Sequence, residues 1–597
     1  MPLNTRAKFD GAAKSDVAAE ASPARLVGGA VGQAGSHDAL ARLTSAMTEL
    51  KALAIQPLLQ RAVAALQADD WRTGRKFAQK ALERDERSGF AWYLMGIARE
   101  RAGDFAASVA SYEAALALIP QHAEVANDLG RLAYRMDMKP QAEKLFRHFL
   151  VAHPDHPEAV NNLACTLRDQ RRFEEAIDTL RPAILREPAS AQLWNTMGTV
   201  VAEQGDYPNA KIFFEEALGH DAGFYKSRYN LGNAHLALGD PEGALAACDA
   251  AIPQVKDEGE RQMMRLSRST ILMALGRVGA GWDDYEARLH PQFADTTHFL
   301  FDRPRWEPGA DLPGKFLLVV GEQGLGDEVL FANVLPDVVE RLGPNGRLAI
   351  AVEPRLIALF QRTYPDAQVG AHATYLISGH TARNAPFMGD AVSDIDFWTP
   401  MGSLLREFRR SVEAFPEHNG FLTPDPERVA HWRRLLADVG PGPKVGLLWK
   451  SASTKDARHR FFSPFEAWAP VLRTKGVAFV NLQYGDCADE LALAARDFGA
   501  EIWTPPGIDL KQDLDDVAAL GAALDLVAGF SNASFNLAAA SGTPVWLIST
   551  PGSWPRLGTH RYPWYPQARV FMTPEFGAWD VAMAQMAEAM AAFAKPG

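Results

Sequence analysis

Residues 130–154 read GRLAYRMDMKPQAEKLFRHFLVAHP, and their key positions recur along the chain at a fixed interval of 34 residues. The opening glycine belongs to the series Gly96, Gly130, Gly198 and Gly232, with Ala164 filling the missing place. Ala142 belongs to a second series of small residues, Ser108, Ala142, Ala176, Ala210 and Ala244, and Phe146 to a bulky one, Tyr112, Phe146, Leu180 and Phe214. Pro120, Pro154 and Pro188 close three successive units in the same phase. Several classes of position hold one register over successive units, which chance does not produce. This part of the chain is therefore an array of repeated supersecondary units, each stacking its apolar face on its neighbours.

The set resembles the tetratricopeptide consensus, in which two helices per unit pack small residues against aromatics. The resemblance covers roughly Pro57 to Leu289. An earlier unit with Ala78 and Ala81, and a degraded last one ending Gly281-Trp282-Asp283-Asp284-Tyr285-Glu286, are expected to cap the stack. Such an α-solenoid offers an inner groove for an extended peptide or a partner helix. A spacer or an oligomerisation device is the alternative. Ahead of the array, residues 1–36 are rich in Ala, Gly and Ser and read as a disordered tail. From Asp38, Leu40, Leu43, Met47 and Leu50 recur at helical steps and suggest a lead helix docking on the start of the array.

After Pro304 the pattern changes to apolar runs of strand type alternating with helical stretches. Lys315 to Val320 reads as a buried strand, followed by a glycine loop, a helix from about Glu328 to Leu342, and a strand at Arg347 to Val352. A second start lies at Lys444 to Trp449, with strands at Val477 to Leu482, Leu524 to Val527 and Val545 to Ile548. Strands alternating with helices imply parallel sheets. The expected division is a repeat array over 37–300, then two α/β halves over 301–430 and 431–597.

The 597 residues are too many for one core, and 47% of them are hydrophobic, ample for several. Acidic residues outnumber basic ones, 73 to 61, for a net charge of −12, with no basic stripe for nucleic acid. Neither a secretory leader nor a membrane span is evident, so a cytoplasmic location is expected. Cys165, Cys248 and Cys487 stand far apart and read as small buried hydrophobes rather than as metal ligands or disulfide partners.

Three clusters could carry chemistry, each at the carboxyl end of a strand, where open α/β sheets bind ligands. The first is Glu322-Gln323-Gly324-Leu325-Gly326-Asp327. Its glycines, Gly324 and Gly326, let backbone N–H groups approach a ligand. The second is Lys450-Ser451-Ala452-Ser453 with Arg458, His459 and Arg460, hydroxyls and fixed positive charge suited to a phosphate or carboxylate. The third is Gly529-Phe530-Ser531-Asn532-Ala533-Ser534-Phe535-Asn536, a strand end, a small polar turn and a helix start. A later loop, Gly552 to His560, leads into Pro563-Trp564-Tyr565-Pro566. In the last helix, Val581, Met583, Met586 and Met590 have ordinary core spacing.

The run Gly314 to Phe331, with Gly281-Trp282 and Arg305-Trp306 before it, resembles a bacterial family that fuses tetratricopeptide repeats to a heptosyltransferase-like GT-B enzyme, a twin-Rossmann fold. That resemblance implies that Asp327 is the base that deprotonates an acceptor hydroxyl. The alternative role for Asp327 is a cap on the helix beginning at Glu328. It further implies that Lys450 stabilises the leaving phosphate, since metal-independent enzymes of this type need such an electrophile. Ser451, Ser453, Arg458, Arg460, Ser531, Asn532, Ser534, Asn536 and His560 would join Gly324 and Gly326 in binding the donor. The sequence departs from the family at Ser531-Asn532-Ala533, where relatives carry Asp-Thr-Ser, and at Asn536, where they carry His. A neutral turn would admit a more anionic donor.

Within that family the sequence is most similar to the tetratricopeptide flagellin glycosyltransferases of alphaproteobacteria. The resemblance implies inverting transfer of a nonulosonic acid, of the pseudaminic type, from a CMP-sugar to Ser or Thr of flagellin held by the repeats. No metal or cofactor is expected, because no D-x-D pair stands in a suitable loop and no His and carboxylate cluster has ligand spacing. Two other readings stay open: a non-catalytic adaptor with a degenerate GT-B part, and a glycan transferase of the heptosyltransferase kind.

Overall fold

A computed structural model describes residues 37–594 except 323, 378–379 and 451–460. The chain divides between Val200 and Val201 into two compact units, a boundary that falls inside the helix Ala191–Glu203.

The described part of the first unit is helical throughout, beginning with His37–Gln67 and continuing through paired helices of 13 or 14 residues such as Ala123–Arg135 and Lys139–Ala152. The 34-residue register is a packing register. A Cβ added to Gly96 would lie 2.6 Å from the Tyr112 ring, and one added to Gly130 would lie 2.9 Å from Phe146. Small residues thus let each helix pair close over the bulky residue of its partner. The turn inside each pair is left-handed at Asp69, Gly103, Asp137, Arg171, Gly205 and Gly239, again 34 residues apart. Successive pairs are also tied by polar side chains: Tyr93 donates to Asp128 at 2.7 Å, Tyr134 to Asp169 at 2.6 Å, and Arg135 to Glu100 at 3.0 Å, each 35 residues away.

The lead helix docks differently from expectation. Met47 and Leu50 are 53% and 56% exposed, while Ile55, Ala62 and Leu66 make the buried contact. Helical spacing marks one face, but the first turns of that face have nothing to cover them among the described residues. The side chains of Leu40 and Leu43 lie outside the described residues.

The second unit continues with helices Tyr207–His220, Tyr225–Ala237, Pro241–Ala251, Glu258–Ala274 and Val278–Tyr285 before the sheets. The strands are β1 Thr297–Phe299, β2 Phe316–Val320, β3 Arg347–Val352, β4 Gln368–Ala371, β5 Ala373–Ile377, β6 His380–Asn384, β7 Phe397–Pro400, β8 Lys444–Leu448, β9 Ala478–Asn481, β10 Ile502–Trp503, β11 Leu526–Gly529, β12 Val545–Ser549 and β13 Ala568–Met572. Two sheets are wholly parallel, in the orders β4-β3-β2-β7 and β10-β9-β8-β11-β12-β13, and a small mixed sheet runs β1-β6-β5. Every residue of β2, β11 and β12 is buried, as strands covered by helices on both faces must be. The architecture is therefore helical repeats followed by α/β.

Two details differ from the sequence reading. The helix expected over Glu328 to Leu342 is two helices, Leu325–Phe331 and Leu335–Leu342, joined by a 3-10 turn that relieves Pro336. In the last helix, Trp579–Phe593, Met583, Met586 and Met590 are fully buried, but Val581 is 44% exposed and lies off the core face. Cys248 and Cys487 are buried and Cys165 half-buried, and burial pushes all three thiols up, Cys248 to about 12.

Candidate functional site

The N-terminal turns of two helices, one from each parallel sheet, come together. The loop after β2 opens the helix Leu325–Phe331, and the loop after β11 opens the helix Ala533–Ala540. Asn536 donates from Nδ2 to the carbonyl of Gly326 at 3.1 Å. A Cβ on Gly326 would lie 3.4 Å from the Ala533 nitrogen, ordinary contact distance, so the second turn lies directly against the first.

Asp327 sits in this turn, half-buried, at the third position of a helix that starts earlier than expected. The N-cap is Gly324, and Asp327 Oδ2 accepts its backbone N–H at 3.3 Å. The carboxylate therefore supports the helix start from within, not as a cap before Glu328. Its charge reaches Tyr562, whose phenol burial pushes well up, a bond to Ser531 opposing and Asp327 adding to the rise. Tyr562 Oη lies 3.0 Å from Ser531 Oγ, which donates to Asn536 Oδ1 at 3.3 Å. Asn532 caps the second helix, accepting the Phe535 N–H at 3.0 Å, while its own Nδ2 is buried with no partner among the described residues. Ser534 and Asn536 are buried, whereas Gly324, Ser531 and His560 are exposed.

Gly324, Gly326, Asp327, Ser531, Asn532 and Asn536 are thus brought together. Lys450, two residues beyond β8, lies on the same sheet edge as Ser531, and its ammonium is paired with Glu490. Its backbone N–H and that of Trp449 both donate to Gln483 Oε1, at 2.9 and 3.1 Å, which fixes the strand end. Ser451, Ser453, Arg458, His459 and Arg460 lie outside the described residues. Among the described residues no group of three or more His, Cys, Asp or Glu is arranged around a common point for a metal ion, and no helix is long and apolar enough to cross a membrane.

Three groups around the site have partners that the sequence does not reveal. Glu322, just after β2, is 2% exposed and is gripped by Arg288 through two bonds, at 3.0 and 2.6 Å, and by the Gly402 N–H at 2.9 Å. Burial opposes the Arg288 charge, but Glu322 and Glu286 outweigh it and raise its pKa. Beneath the glycine loop, buried Glu328 accepts from the Glu353 N–H at 2.9 Å and contacts His372 Nε2 at 2.9 Å, while Arg383 donates to the Gly321 carbonyl at 2.6 Å. The third group is aromatic. Trp282, fully buried at the end of the repeats, has ring centroids of Tyr285, Phe331, Trp554 and Trp564 within 5.6, 6.3, 6.1 and 6.2 Å, all edge to face. Phe331 belongs to the first α/β half and the other two tryptophans to the second, so this ring joins repeat and both halves. The Gly281-Trp282 dipeptide was the visible sign of that role.

Repeats, two parallel sheets and a polar meeting of helix starts define a tetratricopeptide-repeat protein with an appended α/β region. Tetratricopeptide-repeat models match residues 59–124, 127–181, 161–223 and 201–265. Protein FlbA of Caulobacter vibrioides is 50% identical over 582 residues, 98% of this chain and 97% of that protein, and the chain belongs to the FlbA family. The cell division cycle protein 16 homolog of Homo sapiens is 24% identical over 196 residues, 31% of this chain and 30% of that protein. Among solved structures, a tetratricopeptide repeat protein from Parabacteroides merdae is 12% identical, covering 39% of this chain and 91% of its own, with a TM-score of 0.36. YrrB, described as a tetratricopeptide protein with an unusual peptide-binding site, is 20% identical over 30% of this chain and 93% of its own, with a TM-score of 0.25.

Proposed function

We propose that the chain is a metal-independent, inverting protein O-glycosyltransferase of the GT-B type, acting in the cytoplasm. The reading rests above all on one observation, the Asn536–Gly326 contact that sets Asp327 beside the polar turn Ser531-Asn532. A base from one sheet and a donor-binding helix start from the other are what inverting transfer needs. The repeats hold the acceptor, a Ser or Thr side chain of flagellin, and kinship with FlbA is in keeping with a flagellum-related role.

In the step proposed, the acceptor oxygen attacks the anomeric carbon while Asp327 takes its proton. The bond from that carbon to the phosphate oxygen breaks, and CMP leaves with the electron pair. Lys450 exchanges Glu490 for the phosphate, and the first N–H groups of the Ala533 helix lie behind it. The neutral Ser531-Asn532 turn favours a donor sugar that carries a carboxylate, of the nonulosonic kind. Intact mass of flagellin incubated with the enzyme and a CMP-nonulosonate in EDTA tests this. A mass gain of one sugar is expected; nucleotide binding with no gain would leave an adaptor.

A further inference from the structure

Among the described residues three arginines are buried, Arg288, Arg409 and Arg556. Arg288 is paired with Glu322 and Glu286, and Arg409 with Asp337 at 2.6 Å. Arg556 is different. Its Nη1 donates to the Thr559 carbonyl at 3.1 Å and its Nη2 to the Thr550 carbonyl at 3.3 Å, while Nε is buried with no partner among the described residues. Among the described residues no carboxylate stands within ion-pair distance, and burial alone acts on the group, lowering its pKa with nothing to offset it. An arginine cannot shed its proton to escape such a place, and an unpaired buried charge is costly.

Its position gives the cost a purpose. Thr550 is the first residue beyond β12 and Met572, whose sulfur lies against the guanidinium, is the last of β13. Arg556 therefore lies at the same carboxyl edge that carries Ser531 after β11 and Lys450 after β8. Just past β13, Thr573 Oγ1 is also buried without a partner among the described residues. A charged guanidinium with its Nε–H unpartnered among the described residues is a group that recognises a carboxylate or phosphate. We propose that Arg556 is an anion-binding residue that receives the carboxylate or the phosphate of an acidic sugar nucleotide, an assignment that rests on the donor reading above.

The full chain, as wild type, Arg556→Met and Arg556→Lys, is titrated by calorimetry and melting with inorganic phosphate, acetate, CMP and CMP-N-acetylneuraminic acid. The expected result is binding by wild type and a loss of about tenfold or more in Arg556→Met, whose Tm without ligand is no lower than wild type because the unpaired charge is gone. A loss shared by CMP and the CMP-sugar assigns the anion to the phosphate; a loss confined to the CMP-sugar assigns it to the carboxylate. Unchanged affinities for all four probes overturn the proposal. Should Arg556→Met not fold, Arg556→Lys decides, and wild-type affinity there overturns the proposal equally. Wild type that binds phosphate and acetate through Arg556 but neither nucleotide keeps the anion site and overturns the donor reading instead.

Discussion

The helices up to residue 200 and the short helix Val278–Tyr285 meet the same need, covering an apolar face, by opposite means. In the first region the packing solution recurs, Gly96 lying under Tyr112 as Gly130 lies under Phe146, and bonds spanning 35 residues tie neighbouring pairs, Tyr93 to Asp128 and Tyr134 to Asp169. In the second, Trp282 finds partners that no other repeat has, Phe331, Trp554 and Trp564, and donates from Nε1 to the Arg409 carbonyl at 2.9 Å. Periodic contacts make each unit a copy that leans on its neighbours. An aperiodic one makes the last unit a joint on which two sheets depend.

The contrast breaks most readily at Trp282. Trp282→Ala should cost about 3–5 kcal/mol and lower the stability of both α/β halves together, whereas Phe146→Ala, of similar local cost, should loosen mainly its adjoining helices. Hydrogen exchange distinguishes them; exchange confined to Val278–Tyr285 in Trp282→Ala would show that this ring joins nothing beyond its own helix. Next comes the buried ion pair. Arg288→Met strands Glu322 and should cost about 3 kcal/mol in urea titration, and adding Glu322→Leu should restore part of it. Equal losses in the single and double variants would show that no charge had been stranded.

Chemistry is separated from architecture by Asp327→Asn. It keeps the bond to the Gly324 N–H but removes the base, so transfer should fall by roughly 10²-fold with Tm near wild type. Wild-type transfer would reduce Asp327 to a helix support.

Much of this comparison was legible in the sequence, for identifiable reasons. A 34-residue repeat buries small against large at each recurrence, so Gly130 and Phe146 announce their contact, and β2 and β12 are apolar runs because both faces are covered. Long-range partners left no such trace. Lys450 meets Glu490 forty residues on, and Glu328 gathers His372 and Arg383 from elements that only the folded sheets bring near. The start of the Leu325 helix was hidden because glycines at its first turn read as loop. Met47 and Leu50 carry helical spacing, yet spacing records a face and not what covers it.

A smaller effect is expected on acidification. Burial pushes Glu286 up, but Arg288, Arg305 and Ser403 outweigh it and hold its carboxyl below the usual 4.5. Its contribution is therefore present above about pH 4.5 and is lost as pH falls through the lower folded value. Urea midpoints from pH 6 to pH 3 should fall more steeply in wild type than in Glu286→Gln; parallel curves would contradict this. The smallest effect belongs to the periodic region. Asp137 occupies a left-handed turn that glycine fills at Gly103 and Gly205, and in its pair with Lys139 the carboxylate is highly exposed. Asp137→Gly should gain about 0.5–1 kcal/mol, and a loss would mean that the exposed pair matters more than the backbone.

The Trp282 joint also orders events in time. The ribosome delivers the tryptophan long before Trp554 and Trp564, and at about 5–20 residues per second the wait lasts roughly 15 to 60 s. The repeats can stack as they emerge, since each needs only its neighbour. Trp282 cannot, and stays uncovered until nearly the whole chain is made. The nascent protein therefore carries a sticky end through much of the second half of its synthesis, and slower, cooler expression with a holding chaperone should improve its yield.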